Sequence, residues 1–233
     1  MSHQGIQSLV NTHQYWDNKD LLENLNKFRD LILAEEIVII GMQEIWVDNV
    51  SYLAKELNMY YFTNTITQEN TFHGIALLSK YPMLESNSLV LNDTALNGEL
   101  IETTIKYANE NITVYVTHLD TPTNYIAQLN EVKQILKITK NKPNTLLLCD
   151  CNAPDTIFLE SYRLLTEQFE DGWIASGKST FEGRTWPSNS PFLRVDYVWL
   201  SKEGWSVLKG SGRTFGTTGD SDHLGVKVTI ALQ

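Results

Sequence analysis

Only two cysteines, Cys149 and Cys151, occur in this 233-residue chain. No disulfide framework can therefore carry the fold, which must rest on a packed core. An extended i, i+2 pair suits a disulfide poorly, and no second soft pair exists to complete a zinc site. Both cysteines are expected as small buried apolar residues in a reducing compartment, which points to a cytoplasmic protein. Positive charge is also scarce: 18 Lys and Arg face 28 Asp and Glu, for a formal net charge of −10. Without a Lys/Arg-rich run there is no basic surface for tight duplex DNA binding, because phosphate contacts supply most non-specific affinity. A phosphate substrate is still allowed, since a bound divalent cation supplies local positive charge. No apolar run approaches the roughly 20 residues of a membrane-spanning helix. Met1–Ile6 has neither the basic nor the apolar part of a signal peptide. Repeats, low-complexity tracts and linkers are absent too, so residues 1–233 read as one domain, expected to be monomeric.

What is present is a frequent alternation of short apolar strands with amphipathic helices. Ile6–Thr12 reads as a first strand, and Asp17 or Asn18 as the cap of a helix with Leu21, Leu25, Phe28 and Ile32 on its apolar face. Ile37–Ile40 predicts a buried strand that runs on through Gly41 to Glu44. Val50, Leu53 and Leu57 mark the next helix. Strands are predicted at Tyr60–Thr63, His73–Ser79, Ser86–Leu91, Leu100–Tyr107 and Ile112–His118, the last two joined by a hairpin at Asn109–Asn111. Leu129, Val132, Leu136 and Thr139 predict one helix face. Ile157, Tyr162 and Leu165 suggest a helix or two after Pro154, and residues 172–192 read as connections. Val195–Leu200 and Leu224–Leu232 are the last clear strands, with a further one around Ser206–Leu208. The mixture predicts two packed sheets with helices outside.

The centre of this pattern is Thr145–Pro154, an apolar run that ends in Asp150 and Asn152. In a strand, i and i+2 share a face, so both polar groups aim at one spot. A carboxylate beside an amide suits holding a water and a phosphoryl oxygen together. Other strand ends carry similar groups: Asn11, Glu44, His118 with Asp120, Asp196, and Asp222 with His223. Singly, each has a plain structural explanation. Glu44 could neighbour a helix cap, His118 could be a satisfied core histidine, Asp196 could pair with Arg194, and Asp222 could serve a turn. Strand ends on one edge of a layered fold, however, converge on one cleft.

Taken together and in order, Val10-Asn11-Thr12, Gly41-Met-Gln43-Glu44, His73-Gly74 with Ser79, Thr117-His118-Leu-Asp120, Asp150-Cys-Asn152, Arg194-Val-Asp196-Tyr197 and Ser221-Asp222-His223 resemble the endonuclease/exonuclease/phosphatase superfamily, the DNase I-like enzymes. The resemblance spans nearly the whole chain. It implies an α/β four-layer αββα sandwich, two mostly antiparallel sheets flanked by helices, and Mg²⁺-dependent (or Mn²⁺-dependent) phosphoester hydrolysis. Glu44 is then the principal metal ligand, with Asn11 and Asp222 beside it. Asp150 and Asn152 orient the attacking water, His223 works with Asp196 in the logic of a base and its orienter, and His118 contacts the phosphate. Asp120, Arg194 and Trp186 are expected to meet substrate, Trp186 as a ring on which a base or lipid chain stacks.

Three departures bear on substrate. Cys149 stands where the family often has glycine, the Tyr-x-Pro-Asn segment of apurinic endonucleases is absent, and Pro122 lies four residues after His118. The His118-Leu-Asp120 form is similar to members acting on lipid or small substrates. The expected function is a Mg²⁺-dependent phosphodiesterase whose partner is a phosphoester in a small molecule, a lipid head group or a nucleic acid. The alternatives are a nuclease, or a binding scaffold that kept the fold and lost the chemistry.

Overall fold

The structure is a computed structural model that describes residues 21–65, 73–91, 98–155 and 160–233. The expected first strand, Asn11, and the cap at Asp17 or Asn18 lie outside the described residues.

Helices α1 (Leu21–Ala34) and α2 (Val47–Leu57) enclose β1 (Ile39–Trp46); β2 (Tyr60–Thr65) and β3 (His73–Ser79) follow. These three strands form one antiparallel sheet in the order β1-β3-β2. Strands β4 (Met83–Val90), β5 (Glu99–Tyr107), β6 (Glu110–His118), β7 (Thr145–Asp150), β8 (Phe169–Asp171) and β9 (Asp196–Ser201) build a six-stranded sheet, ordered β4-β5-β6-β7-β9-β8. Only β6 and β7 pair in parallel, because helix α3 (Tyr125–Thr139) carries the crossover between them. Helix α4 (Glu160–Gln168) and the short α5 (Gly172–Ala175) precede β9. Two small antiparallel pairs complete the described chain: β10 (Trp205–Val207) with β13 (Ile230–Leu232), and β11 (Arg213–Phe215) with β12 (Gly225–Lys227).

Period-2 alternation separates three apolar clusters. Ile39, Ile75 and Leu77 of the smaller sheet meet Ile101, Val114, Val116, Leu146, Leu148 and Val198 of the larger one. Ile40, Met42, Ala76 and Leu78 point the other way, against Leu25, Phe28, Val50 and Leu53 of α1 and α2. On the far side Tyr115, Leu147, Tyr197 and Trp199 pack under Val132, Ile135 and Leu165 of α3 and α4. The result is the expected helix–sheet–sheet–helix layering.

The two sheets come closest at Gly41. A Cβ there would stand 2.6 Å from Leu148 Cβ, far inside van der Waals contact, so only glycine lets β1 lie on β7 at this point.

Several elements differ from the sequence reading. The buried face of α3 is Ala127, Gln128, Glu131, Val132, Ile135 and Thr139; Leu129 and Leu136, expected inward, are half-buried. The β5–β6 turn sits one residue early, on Ala108 and Asn109, with Ala108 at φ 52°. The stretch 224–232 breaks into β12 and β13, and β8 and β11, three residues each, carry too little pattern to be seen in advance.

Cys149 and Cys151 are joined in a disulfide, with Cα atoms 5.0 Å apart. A continuous strand would separate them by about 6.6 Å. Strand β7 stops at Asp150, so the chain bends there, and the argument from extended geometry fails. Both sulfurs lie in the cluster under α3 and α4, and they supply no argument for a reducing compartment. No helix among the described residues is long and apolar enough to cross a membrane.

Candidate active site

Register across the larger sheet lines up one polar row. His118 pairs with Asp150, and Asp150 with Asp196. These residues continue the inward faces of β6, β7 and β9, two positions on from Val116, Leu148 and Val198. Each is the last or first residue of its strand, so the row stands where the sandwich opens. It continues to Glu99, His118's partner on β5, a buried carboxyl that no motif marked. Burial carries the Glu99 pKa up to about 7.

Glu44 arrives from the opposite sheet, and a bulge aims it. Met42 pairs with Ala76 and Ile45 with Gly74, leaving Gln43 and Glu44 opposite one residue of β3. Glu44 takes φ 52°. Without the extra residue, Met42 and Ile45 would face opposite sides; with it, both pack toward the helices and Glu44 is released toward the larger sheet. Its Oε1 lies 3.9 Å from His118 Nδ1.

Asp150 and Asn152 do meet, but through a turn and not through strand alternation. Asn152 adopts φ 47° and its backbone N–H donates to Asp150 Oδ1 (3.1 Å). Its side-chain Nδ2 donates to the Leu119 carbonyl (2.9 Å) and lies 3.2 Å from His118 Nε2. Because the carbonyl fixes Nδ2 as a donor, the tautomer that completes this contact accepts at His118 Nε2 and carries its N–H at Nδ1, toward Glu44. His118 Nε2 is also 3.6 Å from Asp150 Oδ2.

His223 Nδ1 is 2.8 Å from Asp196 Oδ2 and 3.9 Å from Asp150 Oδ2. Burial alone would lower the His223 pKa. The charge and hydrogen bond of Asp196, followed by Asp150 and Asp222, outweigh it and raise the value to about 10. Asp150 is pushed up to about 6, first by burial and then by Asp196; His223, His118 and the Asn152 N–H pull the other way. His223 is thus a cation at neutral pH, and Asp196 charges the ring as well as orienting it.

Around this centre, Asp222 is exposed. Trp186 is 37% exposed, with its ring centroid 6.5 Å from that of His223 and 5.8 Å from Phe192. Two residues expected to touch substrate are engaged elsewhere. Arg194 is 1% exposed, its guanidinium bound to Asp171 (2.7 Å) and Asp155 (3.0 Å) and lying 4.7 Å from the Tyr197 ring centroid. It does not pair with Asp196, whose Oδ2 is taken by His223. Asp120 is buried, its carboxylate accepting from Thr121 N–H (3.0 Å) and Asn124 Nδ2 (2.7 Å).

A cation fits these side chains. Ligand atoms of Asp150, Asp196 and His223 lie within 4.8 Å of one another; with His223 charged and held by Asp196, the carboxylates of Asp150, Asp196 and Glu44 are the groups that would hold it. Among the described residues, buried Asp196 Oδ1 and both amide atoms of buried Gln43 lack a hydrogen-bond partner. The Asp196 oxygen, within an oxygen-rich cluster, is what a hard cation with ordered waters satisfies.

Solved structures repeat this architecture. An endonuclease/exonuclease/phosphatase from Bacteroides vulgatus is 15% identical, with a TM-score of 0.80, and the match covers 99% of this chain and 100% of that one. D. rerio TDP2, humanised by 14 mutations, is 15% identical with a TM-score of 0.78 over 97% of this chain and 98% of that one. A mannosyl-6-phosphatase from Bacteroides thetaiotaomicron is 14% identical with a TM-score of 0.77 over 97% and 100%. At such identities the likeness is one of fold. No curated protein sequence gives a significant match. The sequence model of the Endonuclease/Exonuclease/phosphatase family matches residues 17–223, and the chain belongs to that family of phosphoester hydrolases.

Proposed function

We propose that the chain is a Mg²⁺-dependent phosphodiesterase acting on small phosphoesters. Glu44 and Asp150, with Asp196 behind them, would hold the cation, which when bound offsets charge developing on the phosphoryl group. Above its pKa of about 6, Asp150 accepts the proton of the attacking water. Asn152 Oδ1 orients that water while Nδ2 stays committed to Leu119 and His118. His223, held through Nδ1 by Asp196, turns Nε2–H toward a phosphoryl oxygen. His118 Nδ1–H offers a second donor.

The observation that carries the choice of diester is the placement of Arg194. With that guanidinium buried against Asp155 and Asp171, the cation of the row is the His223 imidazolium, set among Glu44, Asp150 and Asp196. A diester monoanion suits this balance better than a monoester dianion. The net charge of −10 likewise favours a small substrate over duplex DNA. The test compares bis-p-nitrophenyl phosphate with p-nitrophenyl phosphate, with Mg²⁺ and with EDTA. Cation-dependent cleavage of the diester at the higher kcat/KM is the expected result. Preference for the monoester would move the assignment to phosphatase, and an inert protein would leave a scaffold.

A further inference from the structure

Helix α3 turns two polar side chains into the protein at i, i+3, Gln128 and Glu131, both fully buried. They reach the two loops that carry the site. Gln128 Nε2 donates to the carbonyls of Asp120 (2.7 Å) and Asn152 (3.1 Å), with the Cys151 carbonyl at 3.4 Å. Its Oε1 accepts from Ser161 Oγ of α4 (2.9 Å). Glu131 Oε2 accepts from the Asp120 N–H (2.9 Å). One loop follows His118 and the other follows Asp150, both past the end of strand pairing, so their carbonyls have no ladder to satisfy them.

We infer that Gln128 is a positioning residue for the reaction. Its amide ties the Leu119–Asp120 loop to Asn152 and so sets the contact between Asn152 and His118. The inference rests on the reading that His118 and Asn152 serve phosphoester cleavage. The chemistry of the position selects glutamine. Two N–H bonds meet two main-chain carbonyls, and one oxygen meets one hydroxyl. Glutamate would set an oxygen against those carbonyls, and leucine would leave them buried without donors. Asn152, at φ 47°, is held on one side by this amide and on the other by its own bonds to Leu119 and Asp150.

The experiment uses Gln128→Leu, the isosteric Gln128→Glu, and Ser161→Ala, which only frees the amide. Each is assayed with Mg²⁺ on bis-p-nitrophenyl phosphate, and ring ¹⁵N and ¹³C signals of His118 and His223 are recorded. In the first two, kcat should fall on the order of 10²-fold, the cost of misplacing reacting groups by about 1 Å, with KM within about threefold. The His118 signals should move while those of His223, tied to Asp196, stay. Ser161→Ala should fold normally and lose about threefold to tenfold in kcat with a smaller shift of the same His118 signals. Unmoved His118 signals in a folded variant, with kcat retained, would overturn the inference. So would an equal disturbance of both histidines, which signals general loosening. A wild type that cleaves no phosphoester, with His118 still moving in Gln128→Leu, would sink the functional reading and leave the clamp on Asn152 standing.

Discussion

Asp196→Asn isolates the charge behind His223. The substitution keeps size and shape, and at a site that is completely buried no water can replace the lost carboxylate. An ordinary histidine titrates near 6.5, whereas His223 reaches about 10; at 1.36 kcal/mol per pKa unit that is a preference of about 5 kcal/mol for the charged ring. The raised value has a definite sign in folding. Stability from this group is complete below pH 6.5 and is lost as pH rises through 10. In the variant, burial is left opposed mainly by Asp150, 3.9 Å away, and the ring becomes neutral at pH 8. Histidine NMR titration should show His223 charged throughout pH 5.5–8.5 in the wild type, a window set by the value of about 10, and titrating inside that window in the variant. Urea unfolding at several pH values should show the wild type losing stability from neutral pH upward and the variant losing less. With the imidazolium gone, kcat for the diester should drop by roughly 10²- to 10³-fold at pH 8, the loss of one transition-state donor, and by less at pH 6. Combined with His223→Ala, the second loss should nearly vanish, because the pair acts as one unit. A wild-type His223 titrating near 6.5, or rate losses that multiply, would refute the reasoning.

Three further outcomes are expected. Glu44→Ala should abolish Mg²⁺-stimulated hydrolysis while leaving circular dichroism and Tm near wild type, since the bulge conformation and not the carboxylate carries the local packing. Asp150→Asn should inactivate the enzyme yet stabilise the cation-free protein at pH 7; a carboxyl raised from 3.8 to about 6 costs folding about 3 kcal/mol once ionised, measurable by urea denaturation. Gly41→Ala should destabilise the protein by about 1–3 kcal/mol through overpacking against Leu148 and lower kcat/KM, because Glu44 sits three residues along the displaced strand.

How much of this was legible in the sequence depends on where the partners of each residue lie. The span of β3 and the end of β6 at His118 were readable to the residue, because apolar alternation and the flanking turns are local signals. The gathering of Glu44, His118, Asp150, Asn152, Asp196 and His223 followed from strand-end placement and family likeness. The bulge that aims Glu44 was not legible: it resolves a conflict between Met42 and Ile45 that exists only against the α1 and α2 layer. Arg194 and Asp120 were misjudged for a similar reason. Asp155, Asp171 and Asn124, which occupy them, answer needs of buried charge that no spacing reveals. On α3 the predicted face held for Val132 and Thr139 but was turned too far toward Leu129 and Leu136, because the buried face is partly polar. Gln128 and Glu131 look like solvent residues until the carbonyls they serve are in place.

The seam at Gly41 has a consequence for what an activity measurement reports. Glu44 belongs to the three-stranded sheet and the His118–Asp150–Asp196 row to the six-stranded one, so under the proposed roles neither sheet alone would hold a working set of groups. Catalysis is then a gauge of how the halves of the sandwich sit on each other. Under those roles, a disturbance that parts the sheets at this edge by an ångström should silence the enzyme while every strand, and the spectroscopic signature of the fold, remains.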